Sequence, residues 1–176
     1  MGFDLYGMNP AMRNIDEDKY PVYNKYVGMD FTERQEIFDN AKEDLQKEYY
    51  EEMTAREAEN PGIYFRSNVW WWRRLWAFTC EYCPDILTKE DMERGNYNDC
   101  HEISEEKASA IAKRLQVKIN DGTASHYENE IKLAQEQCEK DEYGNPVDFD
   151  MMYSFTVGHL QDFILFCSES GGFDIG

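Results

Sequence analysis

The chain has 176 residues, of which 36 are Asp or Glu and 18 are Lys or Arg, so its formal net charge is −18 at pH 7. A surface this acidic repels DNA, RNA and anionic membrane and attracts basic surfaces; it argues against a direct nucleic-acid or membrane binder and for a basic partner. Hydrophobic residues at 41% and aromatics at 15% separate the chain from acidic disordered proteins, which lack the apolar residues to build a core.

No apolar run reaches the length of a membrane span. The opening Met1-Gly2-Phe3-Asp4-Leu5-Tyr6 lacks the basic-then-apolar order of a secretory signal. An odd number of cysteines (Cys80, Cys83, Cys100, Cys138 and Cys167) without a signal fits free thiols in a reducing compartment, with the cytoplasm as the expected location.

Phe3 and Leu5 alternate with Asp4 and Tyr6, a period of two that suits a strand. The closing Gly172-Phe173-Asp174-Ile175 repeats the lettering of Gly2-Phe3-Asp4-Leu5. Each tract is too short to be stable alone, and the two ends are expected to pair as a small two-stranded sheet. Residues 11–30, with Pro21, Gly28 and three tyrosines, read as a loop or extended arm. Thr32, with Gln35 three positions on, predicts a capping box that opens a helix running to about Asn60, stopped by Pro61-Gly62. Ile37, Ala41, Leu45, Tyr49 and Met53 give that helix a narrow apolar stripe on a strongly charged body.

Asn68 to Phe78 is the aromatic centre of the chain and reads as a helix that Pro84 ends. Trp70, Trp71 and Trp72 cannot all point inward on a helix, so one or two are expected to be half-exposed. A short helix opens at Thr88 and ends at Gly95, and Asn96 to Asp99 is turn chemistry. Ser104 caps a helix that ends at Asp121-Gly122, and Ser125 is expected to cap another to about Lys140. A last helix runs from about Thr156 to Ser170, with one of Gly171 and Gly172 left-handed behind it. The fold class is therefore mostly α (α+β). A single helical core domain is expected from 1–10 and 61–176, with 11–60 as an inserted arm and acidic helix.

No catalytic constellation stands out. Cys80, Cys83, Cys100 and His101 can be written as a zinc set, but adjacent Cys and His rarely turn to one ion, and Cys on an aromatic helix commonly serves as a small buried hydrophobe. No metal and no cofactor is expected. His101, His126 and His159 lie on different elements and read as structural, and Asn98-Asp99 reads as a turn. Trp70 to Trp76 with Arg73 and Arg74 has the composition of a nucleic-acid stacking platform, but the charge of the chain opposes that use.

The acidic stretch is the remaining candidate. Asp30 to Glu59 holds eleven acids and four bases. Drawn as one helix it spans about 43 Å, with one acid per roughly 4 Å, against one charge per about 3.4 Å on a single nucleic-acid strand. Glu128 to Asp150 adds eight acids against Lys132 and Lys140. Two such surfaces facing one way would make a nucleic-acid mimic.

Several tracts resemble a family of uncharacterised bacteriophage and prophage proteins: Gly2-Phe3-Asp4-Leu5-Tyr6-Gly7 with Asn9-Pro10, Tyr64-Phe65-Arg66-Ser67-Asn68-Val69-Trp70-Trp71-Trp72-Arg73, Leu75-Trp76, Asn98-Asp99, Ile103 to Leu115, and Ser170-Gly171-Gly172-Phe173. Many members of that family pass from the Asn-Pro motif to the Tyr-Phe-Arg motif in a few residues, whereas here Ala11 to Asn60 intervene. Members often carry a Cys-rich segment where this chain has only Cys138 and Gly144. The resemblance implies a viral origin more than an activity.

Together these readings lead to an expectation of a phage-encoded inhibitor of a host defence complex, acting in the host cytoplasm by binding and not as an enzyme. Its acidic surface would occupy the basic nucleic-acid channel of a protein or nucleoprotein complex such as a CRISPR effector, as anti-CRISPR and anti-restriction proteins do. The expected contacts are Tyr20, Tyr23 and Tyr26 as aromatic anchors, with Glu36, Asp39, Glu43, Asp44, Glu48, Glu51 and Glu52 as the anionic face. The rivals are a small metal-binding or hydrolytic enzyme using Asn98, Asp99, His101, Cys80 and Cys83, and a phage structural or replication accessory protein.

Overall fold

The structure is a computed structural model that describes residues 2–41 and 44–176. The chain is mostly α-helical with one small sheet. In chain order the elements are β1 (Gly2–Gly7), α1 (Pro21–Tyr26), α2 (Phe31–Asn40), α3 (Asp44–Glu59), β2 (Tyr64–Asn68), α4 (Val69–Tyr82), α5 (Lys89–Arg94), β3 (His101–Ile103), α6 (Glu105–Asn120), α7 (Thr123–Gln137), α8 (Val157–Glu169) and β4 (Phe173–Ile175), with short 3₁₀ turns at Glu17–Lys19 and Phe149–Met152. It divides into two compact units, Met1–Ala11 with Gly62–Gly176, and Met12–Pro61.

In the larger unit the sheet is antiparallel, in the order β2-β1-β4-β3. The two chain ends do pair, Leu5 opposite Ile175 and Gly7 opposite Phe173. The sheet nevertheless has four strands and not two, because β2 and β3 each flank that central pair. Alternation sends Phe3, Leu5, Phe65, Ser67, His101, Ile103, Phe173 and Ile175 to the buried face.

That face is covered by aromatic side chains. Phe3 stacks on Trp72 at 5.3 Å, Trp72 on Trp76 at 5.3 Å, and Phe65 lies 5.4 Å from Phe163 and 5.7 Å from Phe166. Burial of each such ring stabilises the fold by about 2–3 kcal/mol. Buried indoles need partners for their N–H groups; Trp72 Nε1 donates to Gly95 O at 2.8 Å and Trp76 Nε1 to Met92 O at 3.1 Å. Of the triple Trp, Trp72 is fully buried and Trp70 and Trp71 are half-exposed.

Ser104 caps its helix as expected, and Asn68, Thr88 and Thr156 likewise cap theirs, each accepting from the first turn. Ser125 is not a cap: α7 starts two residues earlier, behind left-handed Gly122. Behind α8 both Gly171 (φ 62°) and Gly172 (φ 89°) are left-handed, not one of them. The double turn aims the chain back into the sheet within two residues.

The smaller unit departs most from expectation. The arm at 11–30 is not extended throughout, because Pro21 opens α1 at a position where its missing N–H costs nothing. The predicted helix from Thr32 is two helices, broken after Asn40, where Ala41 is extended. Its cap is Asp30, whose carboxylate accepts from Thr32 N at 2.8 Å, not a Thr32–Gln35 box. The break has a packing cause. Phe38 and Tyr49 would stand about 16 Å apart along one continuous helix, but here their rings meet at 5.3 Å. With Tyr26 they form a core of their own, ringed by Val22, Tyr23, Met29, Ile37, Leu45 and Met53.

Candidate functional site

Two groups stand out among the acids of the smaller unit. Glu17, Glu52 and Glu59 are internal to its architecture. Glu17 holds Arg56 through two bonds, at 3.1 and 2.7 Å, and the Arg56 guanidinium keeps the Glu17 carboxyl below its usual range. Glu52 accepts from Tyr23 N at 2.7 Å and so caps the first turn of α1 from another helix. Glu59 accepts from Tyr20 Oη at 2.5 Å, a bond that, with burial, pushes the phenol up to about 12.

Glu33, Glu36, Asp39, Asp44, Glu48 and Glu51 are exposed. Among the described residues only Glu51 of these six has an ion-pair partner, the exposed Lys47 at 3.6 Å, a contact of little energy. Asp44, Glu48 and Glu51 recur at helical spacing and share one face of α3. Glu43 lies outside the described residues.

The sequence-based site is therefore only partly brought together. Tyr20 and Tyr26 are each 6% exposed, and Tyr23 is half-buried against Tyr49 at 5.6 Å. Tyr23 and Tyr26 belong to the unit's own core, and Tyr20 is buried with its hydroxyl on Glu59, which corrects their assignment as anchors. Exposed rings exist on this unit at Phe31 (65%) and Tyr50 (41%). Sequence could have flagged the difference: Val22, Tyr23, Tyr26 and Met29 keep helical spacing, which marks Tyr23 and Tyr26 as inward-facing. The single 43 Å charged rod is also absent, since the break after Asn40 leaves two shorter acidic faces.

In the larger unit the residues of the metal and hydrolytic readings go separate ways. Asn98 Nδ2 donates to Gly2 O at 2.7 Å, and Asp99 pairs with Arg94 at 3.0 Å. Cys80 and Cys83 lie against the core, and burial pushes their thiols up to about 12 and about 11. Cys100 is exposed with φ 59°. His101 is buried and donates from Nε2 to Asp91 Oδ1 at 2.9 Å, while Lys107 Nζ reaches Asp91 Oδ2 at 2.5 Å. Among the described residues no group of three or more His, Cys, Asp and Glu is placed to hold a metal ion. Among them, too, no helix is long and apolar enough to cross a membrane.

A second arrangement had no sequence signal. Ser67, buried on β2, and His159, in the first turn of α8, are 92 residues apart in sequence, yet Ser67 Oγ lies 2.8 Å from His159 Nε2. A cavity of about 260 Å³ reaches both and is lined also by Arg66, Asn68, Trp71, Thr156 and Asp162. The imidazole is flanked by Phe65 at 5.2 Å and Trp71 at 5.8 Å. Burial holds it below the ordinary histidine value, against the opposing pull of the Asp162 carboxylate. The sequence reading of His159 as a satisfied structural histidine accounts for its burial but not for the cavity at its side.

No family model, no curated protein and no solved structure matches the chain.

Proposed function

We propose that this protein is a phage-encoded inhibitor of a host defence complex, which it binds in the host cytoplasm through the acidic face of α2 and α3. The reading is carried by one observation: the smaller unit consumes Glu17, Glu52 and Glu59 in its own hydrogen bonds but leaves Glu33, Glu36, Asp39, Asp44 and Glu48 exposed and, among the described residues, without a cation. Like charges held together on short helices disfavour folding, so a face that is kept anionic without internal compensation suits a cationic cleft. The −18 net charge adds long-range attraction to such a cleft. Exposed Phe31 and Tyr50 on the same unit supply rings for the contact in place of the arm tyrosines.

The test is a competition experiment with a purified, guide-loaded CRISPR effector and its labelled target DNA. The protein should displace the DNA competitively, and its affinity should fall steeply as salt is raised from 50 to 200 mM, as for other associations dominated by charge. Absence of competition, or binding indifferent to salt, contradicts the reading.

A further inference from the structure

The geometry points to a second site in the larger unit: we propose that Ser67 and His159 form a nucleophile–base pair that accepts a short acyl group from an ester. This goes beyond the binding role of the smaller unit and shares no residue with it. The 2.8 Å contact between Ser67 Oγ and His159 Nε2 is the spacing that nucleophile activation requires. In the tautomer with its proton on Nδ1, the imidazole accepts from the serine hydroxyl, and burial keeps it neutral and able to act as a base near pH 7. Phe65 and Trp71 fix the plane of the ring. Asp162, three residues on along α8 and lining the same cavity, stabilises the imidazolium that forms.

The surroundings favour a developing oxyanion. Ser67 sits where a strand passes directly into a helix, since β2 ends at Asn68 and α4 begins at Val69. Asn68 Oδ1 takes the N–H of Trp71 and so caps the start of α4 at the cavity. Thr156, the cap of α8, lines the cavity with Asn68, so two helices of 14 and 13 residues turn their positive ends to it. Arg66 adds a cation at the rim of an otherwise strongly acidic protein. A cavity of about 260 Å³ takes only a small acyl group, with the Trp71 indole as its apolar wall.

Ser67 Oγ attacks the ester carbonyl carbon as its proton passes to His159 Nε2. The bond to the alkoxy group breaks, and the alcohol leaves with the proton from Nε2. A water then attacks the acyl-serine, gives its proton to Nε2, and the bond from Oγ to the acyl carbon breaks, returning that proton to Ser67.

The test is labelling of the full chain with an alkyl fluorophosphonate, in which Ser67 Oγ displaces fluoride at phosphorus, read by intact mass and peptide mapping. One adduct at Ser67 is expected. It should be absent in Ser67→Ala and about a hundredfold slower to form in His159→Gln, the typical contribution of a positioned base. Asp162→Asn, at an exposed position, should slow labelling several-fold without touching the core. A charge-reversed α2–α3 face should label at the wild-type rate, which separates this result from the binding reading. Wild-type protein that stays folded by circular dichroism yet gains no adduct at Ser67 overturns the proposal, as does an unchanged rate in both the His159 and Asp162 variants.

Discussion

Asp91 is 3% exposed and receives three donors: Lys107 Nζ at 2.5 Å, Thr88 N at 2.7 Å and His101 Nε2 at 2.9 Å. Burial alone would raise its carboxyl; the bonds from Lys107, Thr88 and His101 outweigh that and hold it well below the usual carboxylate range. Replacing Asp91 by Ala removes half of the capping box on α5, about 1 kcal/mol. It also leaves His101 and Lys107 without their acceptor, about 3 kcal/mol at the lower end of the range for a broken buried pair, because Lys107 is 30% exposed and can turn to water. Asp91→Asn keeps one acceptor oxygen for Thr88 but loses the charge and turns an amide donor toward His101 in place of the second acceptor, for about 2 kcal/mol.

The sign of the pH dependence follows from the depressed carboxyl. Its folded-state pKa is below the unfolded value of about 3.9, so its stabilisation is complete above the unfolded pKa. That stabilisation is lost as pH falls toward the folded pKa. The gap between wild type and Asp91→Asn should therefore be full at pH 6–7 and shrink below about pH 4. All four tryptophans lie in α4, so urea unfolding followed by tryptophan fluorescence reports the larger unit alone. An Asp91→Asn variant as stable as wild type at neutral pH, or a gap that persists unchanged at pH 3, would refute the reasoning.

Glu52→Ala should destabilise the smaller unit by about 1–2 kcal/mol, because Tyr23 N loses its acceptor, whereas Glu48→Ala should stay within about 0.5 kcal/mol in the same thermal melt by circular dichroism. At Gly95 an added Cβ would fall 2.1 Å from Trp76 Cε2, so Gly95→Ala should cost about 2–3 kcal/mol by overpacking, measured by urea titration. In the folded protein at pH 8 an aromatic disulfide reagent should titrate exposed Cys100 first and half-exposed Cys138 more slowly. Cys80, Cys83 and Cys167 should react only after unfolding, since burial raises all three thiols.

The parts of the fold legible in the sequence are those where a single principle decides. The matched lettering at the two ends is realised as the central strand pair, and Asn68, Thr88, Ser104 and Thr156 have cap chemistry that nothing overrides. The flanking strands were hidden for a definite reason. In β2 one inward position is Ser67, which masks the apolar period of two, and it is tolerated there because His159 satisfies its hydroxyl. In β3 an inward position is His101, satisfied in turn by Asp91. The break after Asn40 carries no Gly or Pro; it is set by the contact of Phe38 with Tyr49, which is tertiary. For the acidic face, charge density was readable, but which acids are used internally depends on partners 29 to 39 residues away, such as Glu52 with Tyr23, Glu17 with Arg56 and Glu59 with Tyr20.

The measurement closest to the central claim is the affinity of a five-fold variant, Glu36→Lys, Asp39→Lys, Asp44→Lys, Glu48→Lys and Glu51→Lys, for the guide-loaded CRISPR effector. None of these side chains makes a bond that holds the smaller unit's core, so the variant should fold as wild type does. At about 0.5 kcal/mol or more for each reversed charge, the affinity should fall at least about sixtyfold and its salt dependence should flatten. Undiminished inhibition by the folded variant would contradict recognition through this face.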